Sequence, residues 1–127
     1  MKWNEFDDTV FINKIFSICP DIGLIDIFDL ELIRDAKTLI LAFDLVDELP
    51  DKPPVKWGTD FNRCRMGINC SVIDKLNIVG WDYNIRAKLT IKKENNLYYV
   101  DVEADNVRIE FNCRFLNLTT PSVYLSE

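Results

Sequence analysis

Apolar and polar side chains alternate along most of this 127-residue chain. The alternation is clearest from Arg63 to Val72, where Cys64 and every second residue after it are apolar while most residues between them are polar. A period of two is typical of a β-strand with one face in the core and the other in water. The same pattern recurs in segments 28–32, 39–45, 85–92, 98–103 and 107–115, with turn-forming residues between them. The sequence therefore predicts a fold dominated by antiparallel strands.

The strand that begins at Arg63 follows a proline-rich segment. Pro53 and Pro54 donate no backbone hydrogen bond, and each holds the residue before it in an extended conformation, so this segment is predicted to be a loop. After the strand, Asp74-Lys75 is predicted to turn the chain back into a second strand of a central hairpin, residues 76–79, which ends at Gly80-Trp81.

Only the N-terminal segment favours a helix. Asp7 or Asp8 can cap it, and Pro20 and Gly23 can end it. The apolar residues with roughly helical spacing are Val10, Phe11, Ile15 and Ile18. We therefore expect an α+β fold with a single curved antiparallel β-sheet meander of about seven or eight strands and one N-terminal helix packed on one face, and we leave open whether the sheet partly closes.

A chain of this length is predicted to form one domain over residues 1–127. No apolar run approaches the roughly 20 residues of a membrane span, and the N-terminus lacks the pattern of a signal peptide, so we expect a cytoplasmic protein. Cys64 and Cys70 would lie on one strand face about 20 Å apart, too far to form a disulfide. All four cysteines are predicted to be buried, reduced thiols.

The negative charge lies in the first half of the chain. Residues 1–54 carry 12 acidic and 5 basic side chains, a balance of −7, whereas residues 55–127 carry 9 and 10, a balance of +1. An acidic surface disfavours nucleic acid and anionic membranes and favours a basic partner. Solubility alone is the competing explanation.

The residue types offer little for catalysis or cofactor binding. The chain contains no histidine, which removes the commonest general base and metal ligand. Asp29 with Glu31, and Asp101 with Glu103, could each mimic a glycosidase dyad or a calcium or magnesium site, but alternating strands with wet outer faces produce such pairs automatically. We expect no enzymatic activity, no cofactor and no metal, and keep a weak enzyme or small-ligand binder as a rival.

Several of these features together resemble the immunity protein 50 family of bacterial polymorphic toxin systems. They are an early Trp3 and Phe6, a first hairpin with alternating leucines, the Pro53-Pro54-x-x-Trp57 loop, the Gly80-Trp81 pair and a late Tyr124. The resemblance covers nearly the whole chain. It implies a cytoplasmic protein that binds a cognate toxin domain, such as a basic nuclease, and blocks it by occlusion.

The resemblance supplies no shared set of binding residues, so the candidate contacts come from charge and loop position. The acidic candidates are Asp29, Glu31, Asp44, Asp47, Glu48, Asp51 and Asp82, and the aromatic candidates are Trp57, Trp81 and Tyr83. For the tryptophans, packing within the fold is the alternative to partner contact. We expect a monomer or weak homodimer, with a structural module that self-associates through a strand edge as the alternative function.

Overall fold

The computed structural model describes residues 1–7 and 9–126. These residues form one short α-helix, one 3-10 turn and nine strands. The elements are α1 (Val10–Ile15), β1 (Leu24–Ile33), β2 (Thr38–Leu45), the 3-10 turn (Val55–Trp57), β3 (Arg63–Ser71), β4 (Asp74–Val79), β5 (Ile85–Glu94), β6 (Leu97–Glu103), β7 (Arg108–Cys113), β8 (Phe115–Leu118) and β9 (Ser122–Tyr124). The predicted α+β class with an antiparallel sheet is confirmed.

All nine strands belong to one antiparallel sheet with the order β4-β7-β6-β5-β1-β2-β3-β8, and β9 also pairs with β3. Sequential neighbours pair in two runs, β1-β2-β3 and β5-β6-β7. The ladder between β1 and β5, from Leu24↔Lys88 to Ile27↔Ile85, joins the two runs. The end strands β4 and β8 do not pair with each other, so the sheet curves without closing into a barrel.

The predicted hairpin between β3 and β4 is wrong. The two strands are separated only by Val72 and Ile73, and the chain bends at Val72, which has φ 56°. Beyond this bend β4 continues in the direction of β3 and pairs with β7: Ser71 lies opposite Phe115, and Asp74 lies opposite Asn112. A simple meander therefore does not describe the sheet. Val72 and Ile73 connect β3 to β4 without reversing the direction of the chain.

The predicted helix is shorter than expected. Thr9 occupies the N-cap position instead of Asp7, and the alternative cap, Asp8, lies outside the described residues. The helix ends at Ile15 because the backbone there bonds to the proline-rich loop: Lys52 N–H donates to the Ile15 carbonyl, and Ser17 N–H donates to Asp51. Ile18 is 80% exposed, so it does not belong to the buried stripe. None of the helices among the described residues is long and apolar enough to cross a bilayer.

The N-terminal segment covers the concave side of the sheet. Trp3 stacks on Phe43 of β2 with ring centroids 5.4 Å apart, and Phe6 lies 5.9 Å from Tyr98 of β6. The alternating apolar residues of β2, β3, β5, β6 and β7 form most of the rest of the core, as predicted, and α1, the first half of β1 and β8 add to it. All four cysteines are buried free thiols, as expected, and burial raises the pKa of Cys64 to about 12, with the nearby Asp44 charge adding to the effect.

A β-bulge divides β1 into two halves. The register against β2 shifts between Ile27 and Asp29, so Phe28 projects from the outer face, where Arg65 lies over its ring. The alternation over residues 28–32 predicts that Phe28 shares a face with Leu30 and Leu32, and the bulge shows that this prediction is wrong. The first half of β1 pairs with both β2 and β5, whereas the second half pairs only with β2.

Candidate protein-interaction surface

A row of charged side chains crosses the outer face of the sheet. The register places Arg86 beside Asp26, Asp26 beside Asp44, and Asp44 beside Arg65, on four neighbouring strands. The two central carboxylates would repel each other, but each forms an ion pair with the arginine on its other side, at 2.9 Å for Arg86 and Asp26 and 2.8 Å for Arg65 and Asp44. The hydrogen bond to Asp26 raises the pKa of Arg86, and the charge of Asp26 adds to it.

Asp44 is the buried member of this row, with 6% of its surface exposed. Arg65 Nε and Nη2 donate to its two carboxylate oxygens, and the Tyr124 hydroxyl donates to the same carboxylate. Arg65 also lies over the rings of Phe28, at 3.6 Å, and Tyr124, at 4.6 Å. Burial raises the pKa of Tyr124, and its hydrogen bond to Asp44 adds to the shift. Asp44 therefore serves the protein's own structure, and we leave it out of the proposed contact surface.

Asp29 and Glu31 have no such partners. They pair in register with Ala42 and Ile40 of β2, which places both carboxylates on the outer face. Both side chains are exposed, and neither takes part in an ion pair within residues 1–7 and 9–126. Two uncompensated charges on one strand face remain available to a basic group from outside.

The connection between β4 and β5 contributes three further candidates. The β1-β5 ladder ends at Ile27↔Ile85, so Asn84 and the residues before it leave the sheet where the second half of β1 begins. Trp81 is 53% exposed and Tyr83 fully exposed, so neither packs into the core. Asp82 accepts hydrogen bonds from the Tyr83 N–H and the Asn106 amide, which lower the pKa of Asp82.

Asp47 and Glu48 follow β2 at the opposite end of β1. Both are exposed and line a groove of about 330 Å³ together with Asp26, Arg63 and Arg86. Asp47 lies close enough to Arg86 that its charge contributes to raising the pKa of that arginine. The acidic residues of this end therefore have basic neighbours, unlike Asp29 and Glu31.

Asp51 and Trp57 lie beside α1 instead. Asp51 accepts the Ser17 N–H at 2.8 Å, and this interaction lowers the pKa of the carboxyl group. Trp57 is half-buried and packs against Phe11 of the helix, with ring centroids 5.7 Å apart. The structure assigns both residues to the attachment of the proline-rich loop, which agrees with the packing alternative for Trp57.

Of the connection 80–84, the register places Asn84 beside the start of the second half of β1, whereas Gly80 and Asp82 lie against the β6-β7 turn at Asn106. Asp51 and Trp57 lie apart from Asp29 and Glu31, beside α1. Sequence reasoning did not single out Asp26, Arg65 and Arg86 as members of a charged row. The alternating pattern did place Arg65 and Arg86 on outer faces, but only the β1-β5 pairing shows which acid each arginine meets. No three acidic, cysteine or histidine side chains converge into a metal site in the part of the chain that the structure describes.

One of three comparisons with known proteins gives a match. No curated protein and no solved structure matches the chain. The family model described as Immunity protein 50 matches residues 8–124. This match spans nearly the whole chain, including the charged row, the proline-rich loop and the Gly80-Trp81 pair, and the chain therefore belongs to the Immunity protein 50 family.

Proposed function

We propose that this protein is a cytoplasmic bacterial immunity protein that binds a cognate toxin domain and neutralises it by occlusion, without catalysis. Family membership supports binding to a toxin. The observation that carries the choice of surface is the exposed pair Asp29 and Glu31, which lacks counterions among the described residues although the carboxylates nearest to it on β1 and β2, Asp26 and Asp44, are paired.

A basic toxin domain, such as a nuclease, fits this surface best. Exposed acidic groups steer a basic partner during encounter, and exposed aromatic side chains provide contact area that becomes buried in a complex. Trp81 and Tyr83 are exposed in the connection that enters β5 where its pairing with β1 ends, and both are available for such contacts. The net negative charge of residues 1–54 also favours a basic partner.

Co-expression tests the proposal directly. The partner is the C-terminal toxin domain encoded beside the gene for this chain, expressed in a sensitive cell with and without the chain. We expect restored growth and a stable complex on co-purification. Growth arrest without a complex would reject immunity for that pair.

The stoichiometry of protection separates occlusion from an enzymatic mechanism. Purified chain is added in increasing amounts to a fixed amount of the toxin domain, and the remaining toxin activity is measured. An occluding inhibitor abolishes activity near one equivalent, whereas an enzyme that destroys the toxin or its product protects at a small fraction of an equivalent.

A further inference from the structure

The second half of β1, residues Phe28–Ile33, is an open strand edge, and we propose that the toxin domain adds a basic β-strand to it. This inference rests on the proposed function and names the recognition mode. In strand addition, backbone hydrogen bonds supply affinity and the alternating side chains supply specificity.

The backbone of this edge lacks a second partner. The β1-β5 ladder ends at Ile27, while the pairing of β1 with β2 continues regularly from Asp29↔Ala42 to Ile33↔Thr38. No backbone hydrogen bond joins Phe28–Ile33 to a segment other than β2 within the described ranges. Because N–H and C=O groups alternate in direction along a strand, about half of those in this segment point away from β2 into solvent.

The side chains along the edge do little to prevent pairing. Natural edge strands are commonly blocked by lysine or proline, and this segment contains neither. Its apolar residues Phe28, Leu32 and Ile33 are 50%, 51% and 41% exposed. Other strands also have open edges. That of β4 is less regular, because its register against β7 shifts between Asp74 and Asn77 and Lys75 has φ 53°. That of β5 beyond Leu89 carries Lys92 and Lys93.

Charge decides which strand can dock. Asp29 and Glu31 lie on the outer face, where a strand added beside β1 places its own outer-facing side chains next to them. A strand with Lys or Arg at alternate positions meets both carboxylates. A second copy of this chain, paired edge to edge, would set these carboxylates against each other, which is unfavourable. The edge therefore fits a basic segment of another protein better than it fits itself.

Amide hydrogen exchange maps the contact. The chain alone and in complex with the neighbouring-gene toxin domain are exchanged in D2O, and protection is read for β1 and β4. We expect alternate amides of residues 28–33 to exchange quickly in the free chain and slowly in the complex, with little change in residues 74–79.

A pair of charge-reversal variants completes the test. Asp29→Lys with Glu31→Lys should weaken binding by about 10-fold or more. Glu94→Lys with Asp74→Lys changes the net charge equally at exposed positions elsewhere and should leave binding nearly unchanged. Thermal unfolding confirms that both variants fold.

The outcomes distinguish the edge from the proposed function. A complex whose protection lies away from residues 28–33 would reject the strand-addition inference and leave immunity standing. Equal loss of affinity in both variants would also reject it. Protection of the edge that grows with the concentration of the chain alone would assign it to self-association instead, and failure to form any complex would reject both proposals.

Discussion

At the scale of single residues, the same residue type takes opposite roles on one sheet face. Asp44 lies between Arg65 and Tyr124 and is nearly inaccessible, whereas Asp29 stands exposed on the neighbouring strand. The difference comes from position across the sheet: β3 and β9 cover Asp44, but among the described residues no strand pairs with the second half of β1 on the side away from β2. A buried carboxylate without its arginine is costly, so the Asp44-Arg65 pair should contribute strongly to stability.

Arg65→Met should lower the free energy of unfolding by about 2 to 4 kcal/mol, because it leaves the Asp44 charge buried without its counterion. Replacing both residues, with Asp44→Asn and Arg65→Met, should cost less than the sum of the two single changes. Urea denaturation of the single and double variants measures this coupling. Arg63→Met is the matched control, since Arg63 is exposed on the same strand and its guanidinium, among the residues that the structure describes, donates only to the Asn62 carbonyl. A loss as small as that of the control would contradict the role assigned to Arg65.

At the scale of elements, the connection from β4 to β5 depends on one glycine. Gly80 has φ +78°, a conformation that other residues rarely adopt. A Cβ at this position would lie 1.9 Å from the carbonyl oxygen of Asn106 in the β6-β7 turn. The Gly80-Trp81 pair therefore reflects a close approach of two backbones, and it presents Trp81 at the surface.

Gly80→Ala should reduce the free energy of unfolding by at least about 2 kcal/mol, because it combines a disfavoured φ with a backbone clash. Gly23→Ala is the matched control, since a Cβ there meets nothing within 4 Å and its φ is not positive. Thermal and urea unfolding of the two variants give the comparison. Similar stability of both variants would show that the turn can move away from residue 80 without cost.

At the scale of the whole molecule, the uneven charge should govern how fast a partner arrives. The acidic first half includes both ends of β1, with Asp29 and Glu31 at one end and Asp47 and Glu48 near the other. Charges at the rim of an interface act mainly on the association rate, and salt screens them.

Asp47→Lys with Glu48→Lys should slow association with a basic toxin domain by about 10-fold at low salt and have little effect at high salt. Stopped-flow measurements over a range of ionic strength test this expectation. The Glu94→Lys and Asp74→Lys variant carries the same net charge and controls for overall charge. An unchanged association rate at low salt would refute a steering role for these two residues.

The period-two alternation by itself determined the antiparallel sheet, most of the core and the burial of Cys64, Cys70 and Cys113, because side-chain direction along a strand is a local property. Local chemistry also determined the turn at Asn95-Asn96, whose residues both have the positive φ that a two-residue hairpin favours. Only the tertiary structure decided that β4 leaves β3 to pair with β7, that β1 pairs with β5, and that a bulge turns Phe28 outward. These pairings depend on contacts between residues far apart in the chain. The pairings determine which carboxylates form ion pairs and which strand edge stays open.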